Sequence, residues 1–240
     1  MAGFYDPDKT FDENVDDGPF FDEIPKLDRR GEPQFSFLGF PIYLPFGIAA
    51  GPLPTSKHVN AAFDWGYDVV DYKTMRTIPF ESNPFPNVIP IKAEGPISLE
   101  QADKGLTMAD DYPADKTKLV ITNSFGNPGR GPAFWANDMK KAVASARKGQ
   151  VMIASTFGSA QEGMSSEDFW QDFADASKIA KDSGAKIIEL NLSCPNVIGE
   201  GIVCYTPEAV IGICQRTRTA IGNTPLVIKL GYFTTEQQKL

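Results

Sequence analysis

The sequence predicts an α/β protein built around a parallel β-sheet. Short runs of Val, Ile and Leu alternate along the chain with amphipathic stretches of helical period. The runs are continuously apolar, which is typical of strands buried on both faces, as in a parallel sheet. Hydrophobic residues make up 42% of the 240 residues and charged residues 22%, so the chain can bury a core of ordinary size.

The predicted elements follow one another in a regular order from residue 46. The strands are FGIAA (46–50), YDVVDYK (67–73), KLVIT (118–122), QVMIAST (150–156), KIIELNL (186–192) and LVIKL (226–230). Amphipathic spacing predicts the intervening helices from Ser56, near 133–148, near 166–182 and near 207–220.

Local signals support the helix boundaries. Thr206 is followed by Pro207 and Glu208, which supply an N-cap, a proline at the first helical position and an acidic first turn. Ser165 and Asp168 form a capping-box pattern at the start of another helix. Because glycine adopts the left-handed conformation that closes many helices, helix ends are expected at Gly66, Gly184 and Gly222.

Two segments depart from this alternation. Residues 1–45 lack a sustained period, and the stretch FDENVDDGPFFDEIP carries six acidic residues in fifteen. We interpret 1–45 as an acidic irregular N-terminal arm and 46–240 as the folded domain. Residues 77–116 are rich in proline and show no clear helix, which predicts a long loop of the kind that often covers a site.

Composition argues against several classes of function. A net charge of −8 disfavours nucleic acid or an anionic membrane surface as the partner. No apolar run approaches the roughly 20 residues that span a bilayer, and MAGFYDPDKT is unlike a targeting peptide. We therefore expect a cytoplasmic protein.

Histidine and cysteine counts disfavour a metal centre. His58 is the single histidine, and we expect its imidazole to be exposed or half-buried on a helix. The three cysteines, Cys194, Cys204 and Cys214, lie ten residues apart, which matches no zinc-ligand spacing. We expect no metal and interpret Cys214 as a packing residue.

Polar or small residues stand where the predicted strands end, and parallel α/β folds carry their chemistry at that edge. The first strand ends in Ala49, Ala50 and Gly51, which would let a flat ligand approach the backbone. The later strand ends carry Lys73, Thr74, Asn123, Ser124, Asn191, Cys194 and Lys229.

These residue types suit an electron-rich planar heterocycle. Asparagine amides offer a donor and an acceptor, which match the imide and carbonyl edges of a pyrimidine. A lysine beside a ring carbonyl stabilises negative charge that develops there on reduction. A thiol next to a positive charge can accept a proton.

The motif NLSCPN at 191–196, preceded by IIE and followed by the loop residues GEG, resembles the signature of the class 1 dihydroorotate dehydrogenase family. Four further segments agree with that family in order and spacing, namely PFGIAAG (45–51), YKT (72–74), NSFGNPG (123–129) and LVIKL (226–230). The resemblance extends from near Phe35 to the C-terminus. The pyrimidine-binding domain of dihydropyrimidine dehydrogenase shares much of this pattern.

The resemblance implies a TIM (β/α)8-type barrel. KLVIT and NSFGNPG lie outside the barrel ring in that family, so the chain would supply about five of the eight βα units, as the N-terminal portion of a longer protein. Residues 46–240 would form a partial FMN-binding barrel domain. The implied reaction is FMN-dependent oxidation of dihydroorotate to orotate in pyrimidine biosynthesis. A homodimer is a possible assembly that the sequence does not decide.

The resemblance also implies roles for individual residues. Cys194 would be the catalytic base that removes the C5 proton of the substrate, while hydride passes from C6 to flavin N5. The implied flavin contacts are Ala49, Ala50, Gly51, Lys73, Thr74, Asn191 and Lys229. The implied substrate contacts are Lys73, Asn123, Phe125, Gly126, Asn127, Asn191 and Asn196.

Three alternatives remain open from the sequence. NSFGNPG departs from the family's N-x-x-G-L-P-N, so a dihydropyrimidine dehydrogenase-like flavoenzyme with another pyrimidine substrate is one of them. A Schiff-base aldolase on a similar barrel would use Lys73 or Lys229 as its nucleophile. The third is a catalytically inert truncated barrel.

Overall fold

The computed structural model describes residues 3–27, 29, 31–194 and 202–234. Two 3₁₀ turns occupy Lys116–Lys118 and Val203–Tyr205. The helices and strands in chain order are α1 (Phe11–Asp17), β1 (Phe35–Phe37), β2 (Phe40–Ile42), β3 (Gly47–Ile48), α2 (Ser56–Asp64), β4 (Val69–Met75), β5 (Val88–Pro90), α3 (Leu99–Asp103), β6 (Ile121–Asn123), α4 (Pro132–Ser145), β7 (Val151–Thr156), α5 (Ser166–Asp182), β8 (Ile187–Asn191), α6 (Pro207–Ile221) and β9 (Leu226–Lys229).

The main sheet contains five parallel strands in the order β3-β4-β7-β8-β9. Spatial order follows chain order, so successive crossovers all progress in one direction. A doubly wound sheet would instead reverse its strand order at a switch point. One-directional winding curls a parallel sheet into a barrel wall, so the predicted barrel class, with five of eight strands, is confirmed.

The convex face of this sheet packs against α2, α4, α5 and α6. Alternate strand residues such as Val70, Tyr72 and Ile188 are fully buried there. They meet large side chains from the helices, among them Phe63 and Trp135. Burial of this face by the helices accounts for the apolar residues at these alternate strand positions.

The concave face changes from apolar to polar along the strands. Near their amino ends, Val151 and Ile187 pack against Ile42 of β2, whose hairpin with β1 fills this end of the interior. Nearer the carboxyl ends, the same face carries Asp71 and Glu189, both buried. The hairpin therefore plugs one end of the half-barrel and leaves polar groups at the other. The division between residues 1–45 and 46–240 stays a prediction.

The arm and the proline-rich segment contain short helices that the sequence analysis does not predict. Within the arm, Thr10 and Glu13 form a reciprocal capping box that starts α1. Ser98 and Gln101 do the same for α3. Both helices are shorter than two full turns, too short for an apolar period to reveal them.

Other local expectations have mixed outcomes. Gly66, Gly184 and Gly222 follow helices at φ values of +93°, +99° and +60°, as expected. Thr206 precedes α6 but its side chain makes no capping hydrogen bond. The expectation of an exposed or half-buried His58 is wrong: the ring is fully buried, with Nδ1 2.8 Å from Thr55 Oγ1. Burial, the largest cause, lowers the pKa of His58 to about 4.

None of the helices in the described part of the chain is long and apolar enough to cross a membrane.

The contact between α5 and α6 gives the first prediction. A Cβ atom at Gly212 would overlap the indole ring of Trp170. Gly212→Ala should therefore lower the free energy of unfolding by roughly 1–3 kcal/mol, although alanine favours a helix. Urea denaturation followed by far-UV circular dichroism measures the change. Gln215→Ala, at an exposed position of the same helix, is the control and should stay near the parent value; a stabilised Gly212→Ala would contradict the packing.

Candidate functional site

A pocket of about 510 Å³ opens where the carboxyl ends of β4, β8 and β9 meet the loops around β5 and β6. It is lined by eleven of the residues that the sequence analysis singles out: Ala50, Gly51, Lys73, Thr74, Asn123, Phe125, Gly126, Asn127, Asn191, Cys194 and Lys229. Ala49 is not part of this lining, and Asn196 lies outside the described residues. The individual roles of these residues stay predictions.

Sequence analysis misses five lining residues: Tyr5, Pro52, Val88, Ile121 and Ser193. Ser193 stands inside the quoted NLSCPN motif and could have been found there. Val88 and Ile121 belong to the antiparallel pair β5–β6, which lies outside the main sheet. Tyr5 has no local signal, because only the folding back of the arm brings it to the pocket.

A bulge in β4 brings two neighbouring side chains to the pocket. Consecutive residues of a regular strand face opposite sides of the sheet. The register of β4 on β7 shifts between Tyr72 and Met75, so three steps on β4 match two on β7. Lys73 and Thr74 consequently both line the pocket.

Lys73 is the most strongly perturbed base of the pocket. Lys73 is only 7% exposed to solvent, and its Nζ donates a hydrogen bond to Asn127 Oδ1 at 3.1 Å. Burial, the largest cause, lowers the pKa of Lys73 to about 8, while the neighbouring Cys194 acts in the opposite direction. Lys229 also lowers this pKa, because a second ammonium group disfavours the charged form.

Arg76 supports the loop that carries Asn127 on the side away from the pocket. Asn127 has a φ of +57°, and its carbonyl oxygen accepts from Arg76 Nε at 3.3 Å. The Arg76 guanidinium lies between the rings of Phe80 and Phe157, at 4.0 and 4.6 Å from their centroids. Asn127 Nδ2 is buried and finds no hydrogen-bond acceptor in the described ranges. A ligand acceptor in the pocket would satisfy this donor.

A directional chain of hydrogen bonds runs beneath the pocket. Asn191 Nδ2 donates to Thr74 Oγ1 at 3.3 Å. The Thr74 and Ser155 hydroxyls are 2.9 Å apart, and Ser155 Oγ donates to Glu189 Oε1 at 2.8 Å. Because Ser155 gives its proton to Glu189, the Thr74 hydroxyl must donate to Ser155. This series of hydrogen bonds therefore ends on the Glu189 carboxylate. It also fixes the orientation of the Asn191 side-chain amide, whose Nδ2 must face Thr74.

Glu189 also binds Lys229 and neighbours a second carboxyl group. Lys229 Nζ lies 2.9 Å from Glu189 Oε1. Burial, and then the charge of Glu189, raise the pKa of Asp71 well above its usual range, while Lys229 opposes the rise. Burial and the neighbouring charge therefore both favour the neutral form of Asp71. The Glu189 carboxylate holds Lys229 at the floor of the pocket.

The upper part of the pocket suits a flat, electron-rich ring. A Cβ atom at Gly51 would meet nothing within 4 Å, so the backbone there borders open space. Lys73 and Lys229 supply positive charge, and Asn123 and Asn191 supply amides. Cys194 is a free, half-buried thiol on the same wall. Within the described residues, no group of three or more His, Cys, Asp or Glu side chains could hold a metal ion.

Titration of Lys73 gives the second prediction. Its pKa is about 8 in the folded chain and about 10.5 when unfolded, so below pH 8 the protein is destabilised by the buried charge. Between pH 8 and pH 10.5 the unfolded chain binds more protons, and stability contributed by this group therefore rises with pH. Lys73→Met removes that rise, worth up to about 3 kcal/mol.

Urea denaturation at pH 7.5 and pH 10 measures this effect as the difference between variant and parent. Subtracting the parent cancels the titration of the other lysines and tyrosines. Lys178→Met, whose side chain is 58% exposed in the parent, is the matched control and should show no change of this kind. An equal pH dependence in Lys73→Met and the parent would mean that Lys73 is not desolvated.

Comparison with known proteins finds relatives of one kind. No family model matches the chain. It is 37% identical over 243 residues to a protein of Dictyostelium discoideum named dihydroorotate dehydrogenase. The alignment covers 95% of this chain and 63% of that relative, so the chain spans less than two thirds of the relative's length.

Solved structures show the same fold at low sequence identity. The crystal structure of ligand-free DHODH from Eimeria tenella matches with a TM-score of 0.62 and 16% identity, covering 90% of this chain and 59% of that one. The structure of DHODH from Eimeria tenella in complex with ferulenol matches with a TM-score of 0.59, also at 16% identity, covering 84% and 53%. These matches establish the barrel fold independently of the strand order.

Proposed function

The chain is a homologue of dihydroorotate dehydrogenase over nearly its whole length, and from this premise we propose that its pocket serves the FMN-dependent oxidation of dihydroorotate to orotate. One observation carries the proposal. Cys194, two lysines and three asparagines, to which the family resemblance gives roles in this reaction, line a single pocket although they come from distant parts of the chain.

The residues of the pocket fit the ring system of FMN. Small residues at Ala50 and Gly51 would let a flat ring lie on the backbone, and Asn191 and Thr74 would bond its polar edge. Lys229, held by Glu189 at 2.9 Å, would stand beside the N1 and C2 carbonyl side of the ring and stabilise negative charge there. FMN supplies a hydride acceptor when bound.

The chain's own residues would bind the substrate and remove one of its protons. Amides of Asn123 and Asn127 present donors and acceptors to the imide edge of a pyrimidine. The free Nδ2 donor of Asn127 is suited to a ring carbonyl or a carboxylate oxygen. Lys73, bonded to Asn127 at 3.1 Å, adds positive charge at the same place.

Cys194 would act as the base. The C5–H bond of the substrate breaks and its proton passes to Sγ, while hydride leaves C6 and a C5=C6 double bond forms. Lys73 lines the same pocket as Cys194 and stands on the neighbouring part of its wall. We propose a small-molecule dihydropyrimidine as the partner, in keeping with the net charge of −8.

The lowered pKa of Lys73 also favours the aldolase alternative, since a neutral amine is the nucleophile of a Schiff base. Borohydride trapping separates the two proposals. A lysine adduct at Lys73 with a carbonyl compound would support the aldolase. Flavin reduction by dihydroorotate would support the dihydroorotate dehydrogenase. Flavin reduction by dihydrouracil, and not by dihydroorotate, would support the dihydropyrimidine dehydrogenase-like flavoenzyme.

Replacement of Cys194 gives the third prediction. In the flavin-loaded full-length protein, of which this chain is expected to be the N-terminal portion, Cys194→Ala should leave FMN affinity near the parent value, because the thiol is assigned to the substrate. Flavin reduction by dihydroorotate should slow by at least about 10²-fold, the usual contribution of a general base. Stopped-flow absorbance of the flavin measures the rate, and fluorescence quenching on FMN titration measures the affinity.

Cys214→Ala is the matched control, because Cys214 lies in α6, packs against the buried cluster that contains Phe173 and Ile213, and is not part of the pocket lining. It should reduce its flavin at the parent rate. Unchanged reduction in Cys194→Ala would remove Cys194 from the chemistry. Failure of the full-length protein to bind FMN would contradict the proposed function itself.

A further inference from the structure

Residues 3–20 form a closed structure against the pocket. Gly3 and Phe20 pair as an antiparallel bridge with both N–H···O distances at 2.8 Å, so the arm returns on itself around α1. Tyr5 lies inside this turn and lines the pocket. The arm is therefore part of the pocket wall.

Tyr5 belongs to a cluster of three aromatic rings that we call the aromatic wall: Tyr5, Phe11 and Phe125. The Tyr5 and Phe125 rings meet edge to face with centroids 5.6 Å apart, and Phe11 meets Phe125 at 6.3 Å. Phe125 stands between Asn123 and Asn127 in the loop that the proposed function assigns to the substrate. Anything bound to those amides would lie beside the aromatic wall.

Asn14 fixes the position of Tyr5. This side chain is 1% exposed and accepts from the backbone N–H of Asp6, the residue after Tyr5, at 2.7 Å. Its Nδ2 donates to the carbonyl oxygens of Asp6 and Thr10 at 3.0 and 2.8 Å. These bonds tie the residue next to Tyr5 to α1 and limit the freedom of the tyrosine ring.

Other contacts hold α1 on the body of the protein. Asp16 Oδ2 accepts from Arg130 at 2.8 Å, and its carbonyl oxygen accepts from Lys57 Nζ at 2.9 Å. At Gly18 the arm approaches α2 so closely that a Cβ atom would stand 2.7 Å from His58 Nε2. The arm is therefore anchored at the C-terminal end of α1, and its hydrogen bonds to Asn14 carry this support to Tyr5.

The Tyr5 ring is an uncharged wall at physiological pH. Burial raises its pKa above the ordinary value of a tyrosine, so the phenol stays neutral. A rigid aromatic surface beside a polar ligand site excludes molecules that are too wide, while it leaves room for a planar ring that lies parallel to the wall.

From these contacts we propose that Tyr5 is a specificity-determining residue: held by Asn14 beside Phe125, it limits the width of the molecule admitted to the pocket. The proposal rests on the proposed function only in taking this pocket as the substrate site. It assigns to the arm a role in selecting a compact planar substrate, such as a single pyrimidine ring, over the same ring carrying a bulky substituent.

Alkylation of Cys194 tests the proposal without flavin or substrate, because this thiol lines the same pocket. In a Cys204→Ala, Cys214→Ala background, Cys194 is the remaining cysteine of the sequence. Rates are measured by mass spectrometry with a small reagent, iodoacetamide, and a wide one, N-(1-pyrenyl)maleimide. Tyr5→Ala should accelerate the wide reagent at least about tenfold and the small one less than about twofold, because steric selection by pocket walls has this size.

Three further variants separate the wall from general loosening. Tyr5→Phe keeps the ring and should match the parent, and Tyr5→Trp should slow the wide reagent. Asn14→Ala keeps the Tyr5 ring but removes the hydrogen bonds that hold the neighbouring backbone. It should raise the ratio of the wide-reagent rate to the small-reagent rate, as Tyr5→Ala does. Asp17→Asn, which loses only the exposed ion pair with Lys9 at 3.2 Å, should leave both rates unchanged.

Two results would overturn the proposal. Equal acceleration of both reagents in Tyr5→Ala would mean that the arm merely stabilises the fold, and an unchanged ratio would mean that Tyr5 does not limit the pocket. Neither result depends on FMN binding. A chain that fails to bind flavin can still show size selection, and a flavin-binding chain can lack it.

Discussion

The Glu189 carboxylate is the acceptor on which the polar interior of the half-barrel depends. It receives the hydroxyl proton of Ser155 and the ammonium group of Lys229. Its charge also contributes to the raised pKa of Asp71. Removal of one partner from such a buried group leaves the other uncompensated, which costs several kcal/mol in other proteins. The amide of Asn191 and the ammonium of Lys229 therefore keep their orientation toward the pocket through one side chain on β8.

Strand polarity explains why this interior has two different ends. The β1–β2 hairpin fills the amino end with apolar side chains, and hydrophobic burial stabilises the sheet there. The carboxyl end is then free to carry charged and amide groups that would destabilise an ordinary core. The loop after β6 and the N-terminal arm complete the pocket from outside the sheet. Three separate parts of the chain thus enclose one site.

Much of the fold could be predicted from local sequence, because each strand and long helix carries its own period. The strands of the main sheet and the four long helices appear within a few residues of their expected positions. The short helices α1 and α3 do not, since five to seven residues show no helical stripe. The burial of His58 was not predicted either, because a single histidine creates no hydrophobic period in the sequence. Its neighbours in the structure come from the N-terminal arm and from Thr55.

What the sequence by itself determined is which residues stand at the ends of strands, and hence eight of the residues that line the pocket; the family resemblance added Phe125, Gly126 and Asn127. The end of a strand is determined by residues a few positions apart in the sequence, so it can be predicted without a structure. Only the tertiary structure decided that Lys73 and Thr74 both line the pocket, that the pKa of Asp71 is raised and that Tyr5 reaches the pocket. Those features depend on a bulge, on burial and on contacts between residues more than a hundred positions apart. Such contacts arise from the packing of the whole chain, so no local period records them.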